Sequence, residues 1–595
     1  MPSSAARTSL AAAFCLLVLC ALPLAAYSGL VGGEWGVPSA LSLPAALRIG
    51  LVAGAVFFAA AVAWLSGGWR VRLLAGPLGW VLVTVFAGVA WFARSATLVY
   101  GDGLTLVSSL LDRAPLPPFE PLAQALHALM FGLWRTFGAQ ARVDTAWDAI
   151  SAVSVLCGVL AVLVLAWIAR RASDDDAVAT PARVLLPALV LAQGHAVLFF
   201  GHAENYAPAM TVLLVYVACA LQALRSSRFV TIAGAALACA CLCHAMAVTL
   251  VPSYLALLWL TRAGRPAWRI VLDGLLPAFL LIAGHALLLR QGPGVSLLPW
   301  FRAGTALGAS GTAAAFARGA GMRAFIPFLD GAMLTGPFTL GAAAAACLWS
   351  ARRAASDGTV LFALLAMLPA VALWGFGIGE SNLGYARNWD VVAPLSLIVM
   401  TSACVIAARS TSERFMRVAG TAVLVVSLVH TFTWVAVCAD EPATLARFER
   451  LPLTAGERAS TLGLWAAMKG DEEGARRRWL DGLASEPDNV RLLMFLGRLG
   501  LQQQDVGLAL ASFTHASRVR PDLVAPLAGE VLVLLRAQHG AEARRAIERH
   551  ARAHPSSSAR DKVVAALGGS LPAIGTLAPS AAQWRALDRM TRLAR

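Results

Sequence analysis

The sequence predicts an all-α fold: a polytopic membrane helix bundle of about thirteen spans followed by a soluble α-solenoid. Three observations predict it. Of 595 residues 58% are hydrophobic and only 14% charged, and mean hydropathy is +0.70, too apolar for a soluble globular chain. Runs of ~20 mostly apolar residues, enough to cross a bilayer as a helix, recur from Leu10 to Val437. Beyond Val437 the chain turns polar and repeats at a 34-residue step.

The first apolar run, Leu10 to Val31, reads as a retained span rather than a cleaved signal peptide, being long and having a weak cleavage site. Further spans are expected at 49–66, 73–93, 149–169, 184–200, 207–223, 229–246, 247–261, 271–289, 333–350, 359–377, 391–408 and 418–437. The 229–261 stretch fits two short spans or one long helix kinked near Pro252.

Arginine sets the orientation. Alternate short connections carry Arg70 and Arg72; Arg170 and Arg171; Arg225 and Arg228; Arg262, Arg265 and Arg269; Arg352 and Arg353; Arg409, Arg414 and Arg417. With thirteen spans all six lie on one side, which the positive-inside rule makes cytoplasmic. The N-terminus is then cytoplasmic and everything after Val437 external, giving a membrane domain at 1–438 and an external domain at 439–595. The net charge of +15 is almost wholly arginine, lysine occurring only at Lys469 and Lys562. Such charge fixes topology, and no basic-aromatic segment points to nucleic acid.

The ten cysteines fall inside or at the ends of apolar runs, so no disulfide framework is expected. Cys239, Cys241, Cys243 and His244 resemble a metal cluster at first glance. On a helix that alternation scatters the sulfurs around the axis, whereas zinc needs converging ligands. No metal site is assigned.

In the external domain Pro487, Pro521 and Pro555 are 34 residues apart, as are Ala475, Ala509 and Ala543, and Trp479, Phe513 and Ile547. Small residue, bulky residue, then helix-stopping proline at this period is the tetratricopeptide (TPR) pattern. Three repeats are expected, at roughly 454–487, 488–521 and 522–555, with a capping segment in 556–595.

Ionisable groups beside hydrocarbon are costly and mark function. The loop Tyr100 to Pro121 carries Asp102 between Gly101 and Gly103, then Asp112, Arg113 and Glu120; His127 lies two helical turns beyond Glu120 on the same face. "FFGHAENYAP" holds His202, Glu204 and Tyr206 between two spans. "GESNLGYARNWDVVAP" holds Glu380, Arg387, Asn388, Trp389 and Asp390. The 290–332 loop, with Pro299 and Trp300, fits the bilayer surface. Each has a plain alternative. Asp102 suits a helix cap, Glu204 an interhelical hydrogen bond, Arg387 and Asp390 an interfacial ion pair, and His127 the core. All reach the same face, and that convergence favours chemistry.

"GDG…EPL…LH", "FFGHAENY" and "LGYARNWDVVAP" resemble motifs of the GT-C superfamily of polyprenyl-phosphate-sugar-dependent glycosyltransferases. The closing repeats resemble those of the transmembrane TPR O-mannosyltransferases. The chain lacks an acidic pair at 102–103 and a Trp-Trp-Asp-Tyr-Gly motif, so sugar, acceptor and metal use do not carry over. The resemblance implies an inverting membrane glycosyltransferase in a bacterial inner membrane, its repeats periplasmic. Asp102 is then the catalytic base. Arg387, oriented by Asp390, binds the departing lipid phosphate, while Glu204, His202, Glu120, His127, Asn388 and Tyr206 bind substrate. The donor would be a polyprenyl-phosphate sugar, the acceptor a protein or envelope glycan, with a protein partner on the TPR groove. A divalent ion assisting the phosphate is left open. Two rivals remain: a non-enzymatic TPR scaffold and a lipid or solute transporter.

Overall fold

The computed structural model describes residues 36, 43–66, 77–112, 116–117, 120–172, 181–289, 321–351, 353–374, 386, 389–569 and 580–592. The expected span Leu10 to Val31, and Arg113, Glu380, Arg387 and Asn388, lie outside them. Helix is the only regular structure among the described residues, and the chain forms two compact units, Met1–Pro452 and Leu453–Arg595.

The first unit contains α1 (Ala45–Leu65), α2 (Pro77–Phe92), α3 (Gly103–Leu111), α4 (Pro121–Thr136), α5 (Val143–Ala172) and α6 (Ala182–Leu191). A 3-10 turn, Gly194–Phe199, precedes α7 (Tyr206–Arg225), α8 (Val230–Cys243) and α9 (Val251–Leu260). Then come α10 (Ala267–Leu289), α11 (Gly321–Thr335), α12 (Thr339–Ser350), α13 (Gly358–Ala372), α14 (Ala393–Ser410), α15 (Glu413–Ala439) and α16 (Glu441–Glu449). Each expected span from the second onward has a helical counterpart, so the unit is a polytopic membrane bundle.

Among the described residues six helices are long and apolar enough to cross a membrane, seven if one bent pair counts as a span, and five counterparts are only 10–17 residues long. The backbone breaks have local causes. The expected span 333–350 bends by 87° between Thr335 and Thr339. Pro337 removes a helical donor there, and a β-carbon on Gly336 would overlap the Thr339 hydroxyl. In hydrocarbon the freed carbonyls need donors. His430 Nε2 donates to Leu334 O (3.1 Å) and Ser396 Oγ to Thr335 O (3.4 Å). The 229–261 stretch is two short helices broken at His244 (φ −163, ψ 136), not one helix kinked at Pro252. Pro252 sits in the first turn of α9, where its missing N–H leaves no bond unmade.

The arginine-rich connections meet. Arg225 Nη2 donates to Arg171 O (3.1 Å), and Asp357 pairs with Arg409 (2.8 Å), whose carbonyl accepts from Arg353. Leu224, Leu260, Arg353, Asp357 and Arg409 line one cavity of about 550 Å³, so with the Arg225–Arg171 bond five of the six connections share one end of the bundle, Arg70 and Arg72 lying outside the described residues. Phe57 on α1 and Leu287 on α10 are each 77% exposed, as suits lipid-facing positions.

The second unit begins with helix pairs α17 (Ala455–Met468) and α18 (Glu472–Ser485), α19 (Val490–Gln503) and α20 (Val506–Val519), and α21 (Val524–Arg536) and α22 (Gly540–Ala553). Helices α23 (Ala559–Ala566) and α24 (Ala581–Arg592) follow. Ala475, Ala509 and Ala543 are buried where paired helices meet, with Trp479, Phe513 and Ile547 filling the space between. A β-carbon on Gly463 would strike the Trp479 ring and one on Gly497 the Phe513 ring, so glycine makes room for each bulky partner.

Candidate active site

Three chain segments bring carboxylates to one glycine. Gly101 has φ +56°, a left-handed conformation that favours glycine. A β-carbon there would overlap both Glu204 Oε1 and Asp390 Oδ2. The next residue, Asp102, donates its backbone N–H to Glu204 Oε1 at 2.5 Å. Asp102 occupies the position ahead of α3, yet its side chain makes no capping hydrogen bond, and the residue is exposed. The capping alternative therefore does not account for it.

Glu204 and Asp390 are buried, with exposures of 1% and 0%. The Glu204 turn is fixed from several sides. Gly201 (φ +61°) packs on Arg94, its carbonyl accepts from Ser151 Oγ (2.9 Å), and Ser154 Oγ donates to Leu198 O (2.5 Å). Asp390 Oδ1 accepts the Val391 N–H (3.1 Å), while Oδ2 faces the Glu204 carboxyl across Gly101. Burial, with the like charges of Asp390, Asp102 and Glu120, pushes the Glu204 carboxyl well above the usual range. Two acceptor-only oxygens this close are stable when one carries a proton.

Aromatic rings carry the site deeper. His202 Nδ1 lies 2.7 Å from Ser95 Oγ, and its ring centroid is 5.7 Å from that of Trp389. Trp389 meets Trp434 (5.5 Å), and Trp434 meets Tyr100 (5.4 Å). Buried Arg447 donates to the Tyr100 hydroxyl (2.9 Å) and lies 4.4 Å above the Trp434 ring. Burial pushes the Tyr100 phenol up to about 12, against the opposing effect of Arg447.

Glu120 has one partner on each carboxylate oxygen. Its Oε1 lies 3.0 Å from His244 Nε2 and its Oε2 accepts from Asn205 Nδ2 at 2.5 Å. His127 is buried beside the Glu204 backbone, and burial lowers its pKa to about 4, so it is neutral. Tyr206 is buried with its ring 5.1 Å from that of His244. Orphaned buried atoms gather in this layer: His202 Nε2, Asn205 Oδ1, and the indole nitrogens of Trp389 and Trp434.

The structure thus brings together Asp102, Glu204, Asp390, His202, His127, Glu120 and Tyr206 from the sequence reading. Sequence reasoning missed Ser95, Asn205, His244, Tyr100, Trp434 and Arg447. Arg447 lay beyond the last span in a stretch read as external. Its signal was its place on a short helix with apolar Phe448. Among the described residues no group of three His, Cys, Asp or Glu side chains has a metal-holding arrangement.

No protein-family model matches the chain, and no curated protein matches it. Among solved structures the chain is similar to the Archaeoglobus fulgidus oligosaccharyltransferase tethered with an acceptor peptide containing the NVT sequon, at 12% identity and a TM-score of 0.36. The match covers 63% of this chain and only 56% of that one. A likeness at that score establishes neither fold nor activity.

Proposed function

We propose that this protein is a membrane glycosyltransferase that moves a sugar from a polyprenyl-phosphate donor to a protein or glycan acceptor at the end of the bundle opposite the arginine-rich connections. The observation that carries this reading is the meeting of Asp102, Glu204 and Asp390, from three distant segments, at Gly101. The orphaned donors and acceptors around them suit a polyhydroxylated ligand, whose hydroxyls would satisfy them.

The exposed carboxylate of Asp102 takes the proton of an acceptor hydroxyl. The acceptor oxygen bonds to the anomeric carbon as the bond to the lipid phosphate breaks, with inversion, and the phosphate leaves with the electron pair. Glu204 and Asp390 share one proton, which limits the negative charge facing the departing phosphate. Arg387 is assigned to that phosphate because guanidinium donates two parallel hydrogen bonds to it. The second unit is read as a TPR stack that recruits the acceptor. The site end and the stack are assigned to the periplasmic side of a bacterial inner membrane.

Transfer of radiolabelled sugar from polyprenyl-phosphate donors tests the assignment. Asp102→Asn and Arg387→Ala should each lose at least about a hundredfold in rate while remaining folded in detergent. A chain ending at residue 450 should keep donor binding and lose transfer to the native acceptor. Full turnover by Asp102→Asn would falsify the catalytic assignment.

The broken span at Gly336 also fits a transporter, whose binding sites use interrupted helices. That reading needs counterflow of a solute through reconstituted vesicles, abolished by Ser396→Ala and unaffected by Asp102→Asn.

A further inference from the structure

We infer that Glu120, clamped between His244 and Asn205, is a positioning residue that fixes the Glu204 turn and does not itself touch substrate. The inference rests on the reaction centre proposed above. Glu120 sits at the N-terminus of α4, Asn205 at the N-terminus of α7, and His244 at the break after α8. An asparagine at a helix start usually caps it, yet the Asn205 side chain does not cap α7, nor does Glu120 cap α4. They point at one another instead.

One carboxylate ties three backbone breaks together. Oε2 accepts from Asn205 at 2.5 Å, and Oε1 meets His244 Nε2 at 3.0 Å. The His244 Nδ1 accepts the Met246 N–H at 3.1 Å, so the ring proton is on Nε2 and donates to Glu120. With one donor on each oxygen, Glu120 is engaged within the protein. Asn205 adjoins Glu204, whose Oε1 holds the Asp102 N–H. Loosening the clamp therefore misplaces the base through two short links. His244, which the sequence shows as the end of a cysteine-rich helix, joins the machinery by this route.

Glu120 also adds negative charge beside Glu204. The other groups facing Glu204 are Asp102 ahead of α3, Asp390 before α14, Tyr206 on α7 and His127 on α4, while His202 on the same turn bonds Ser95. Removing the Glu120 charge therefore eases ionisation of Glu204.

Two measurements decide the question. In the transfer assay, His244→Ala should lower kcat tenfold or more, about the scale of a misplaced catalytic group, with the donor KM unchanged. His244→Gln, which keeps a donor toward Glu120, should restore most of the rate. A raised KM with unchanged kcat would make Glu120 a substrate contact and overturn the proposal. The second measurement needs no activity: carbodiimide modification of Glu204, followed by peptide mass spectrometry, reports its protonation against pH. Glu120→Gln should move the midpoint down, and His244→Gln should leave it in place. An unmoved midpoint in Glu120→Gln sinks the inference. Were the wild type to transfer no sugar, the carbodiimide arm alone would decide it.

Discussion

Gly101 shows how a single residue admits the chemistry around it. Its positive φ and missing side chain let Glu204 and Asp390 approach the backbone that presents Asp102. Larger residues at position 101 would push both carboxylates apart. Glu204 carries a stability signature of its own. Its folded carboxyl holds a proton more tightly than the unfolded one, whose pKa is about 4.3. The folded state is thus favoured below that value and loses this contribution as pH rises through the raised folded value. Glu204→Gln removes the charge that must be buried. Its melting temperature in detergent should exceed that of the wild type by a margin growing from pH 5 to pH 9; a constant or shrinking margin would count against the buried, proton-holding assignment.

At the scale of elements, the functional layer is built where helices stop. The 3-10 turn after α6, the break at His244 and the bend between α11 and α12 all replace regular hydrogen bonds with side-chain ones. A continuous helix would bury these carbonyls in its own ladder and leave no polar layer. The second unit follows the opposite rule, with regular helices and ordered caps. Asp471 and Asp505, 34 residues apart, each accept a backbone N–H at the N-terminus of the second helix of a pair, at 2.8 and 2.9 Å. His539, one further step along, makes no such bond. Asp505→Ala should cost about 1 kcal/mol, seen as faster amide exchange in α20; unchanged protection there would show the cap to be redundant.

At the scale of the molecule, the membrane unit has two chemically distinct ends. One gathers arginine-rich connections around a cavity, and the other gathers carboxylates, histidines and orphaned indoles. Side chains from α3, α4, α7 and α14 reach the second end only because the helices between them reverse direction. If the arginine end is cytoplasmic, a periplasm-active reporter fused after Arg595 should be active and a cytosol-active one silent. The reverse pattern would turn the proposed reaction toward the cytosol, where the lipid donor and the acceptor assigned here do not fit.

Local physics made much of this legible. Long apolar runs can satisfy their backbone in a membrane only as helices, so span positions from α1 to α15 followed from composition, and the 34-residue step followed from alanine, aromatic and proline spacing. Asp102, Glu204 and Asp390 stood out because charge beside hydrocarbon needs a reason. What the sequence left open were relations between residues far apart in the chain. That Glu204 accepts the N–H of Asp102, that Arg447 supports Tyr100, and that Glu120 is bound by His244 are consequences of packing. Helix ends were open for the same reason, the expected span 184–200 stopping at Leu191 and 149–169 running from Val143 to Ala172: hydropathy counts apolar residues, but where a helix ends in a buried core depends on which distant side chain can take over its hydrogen bonds.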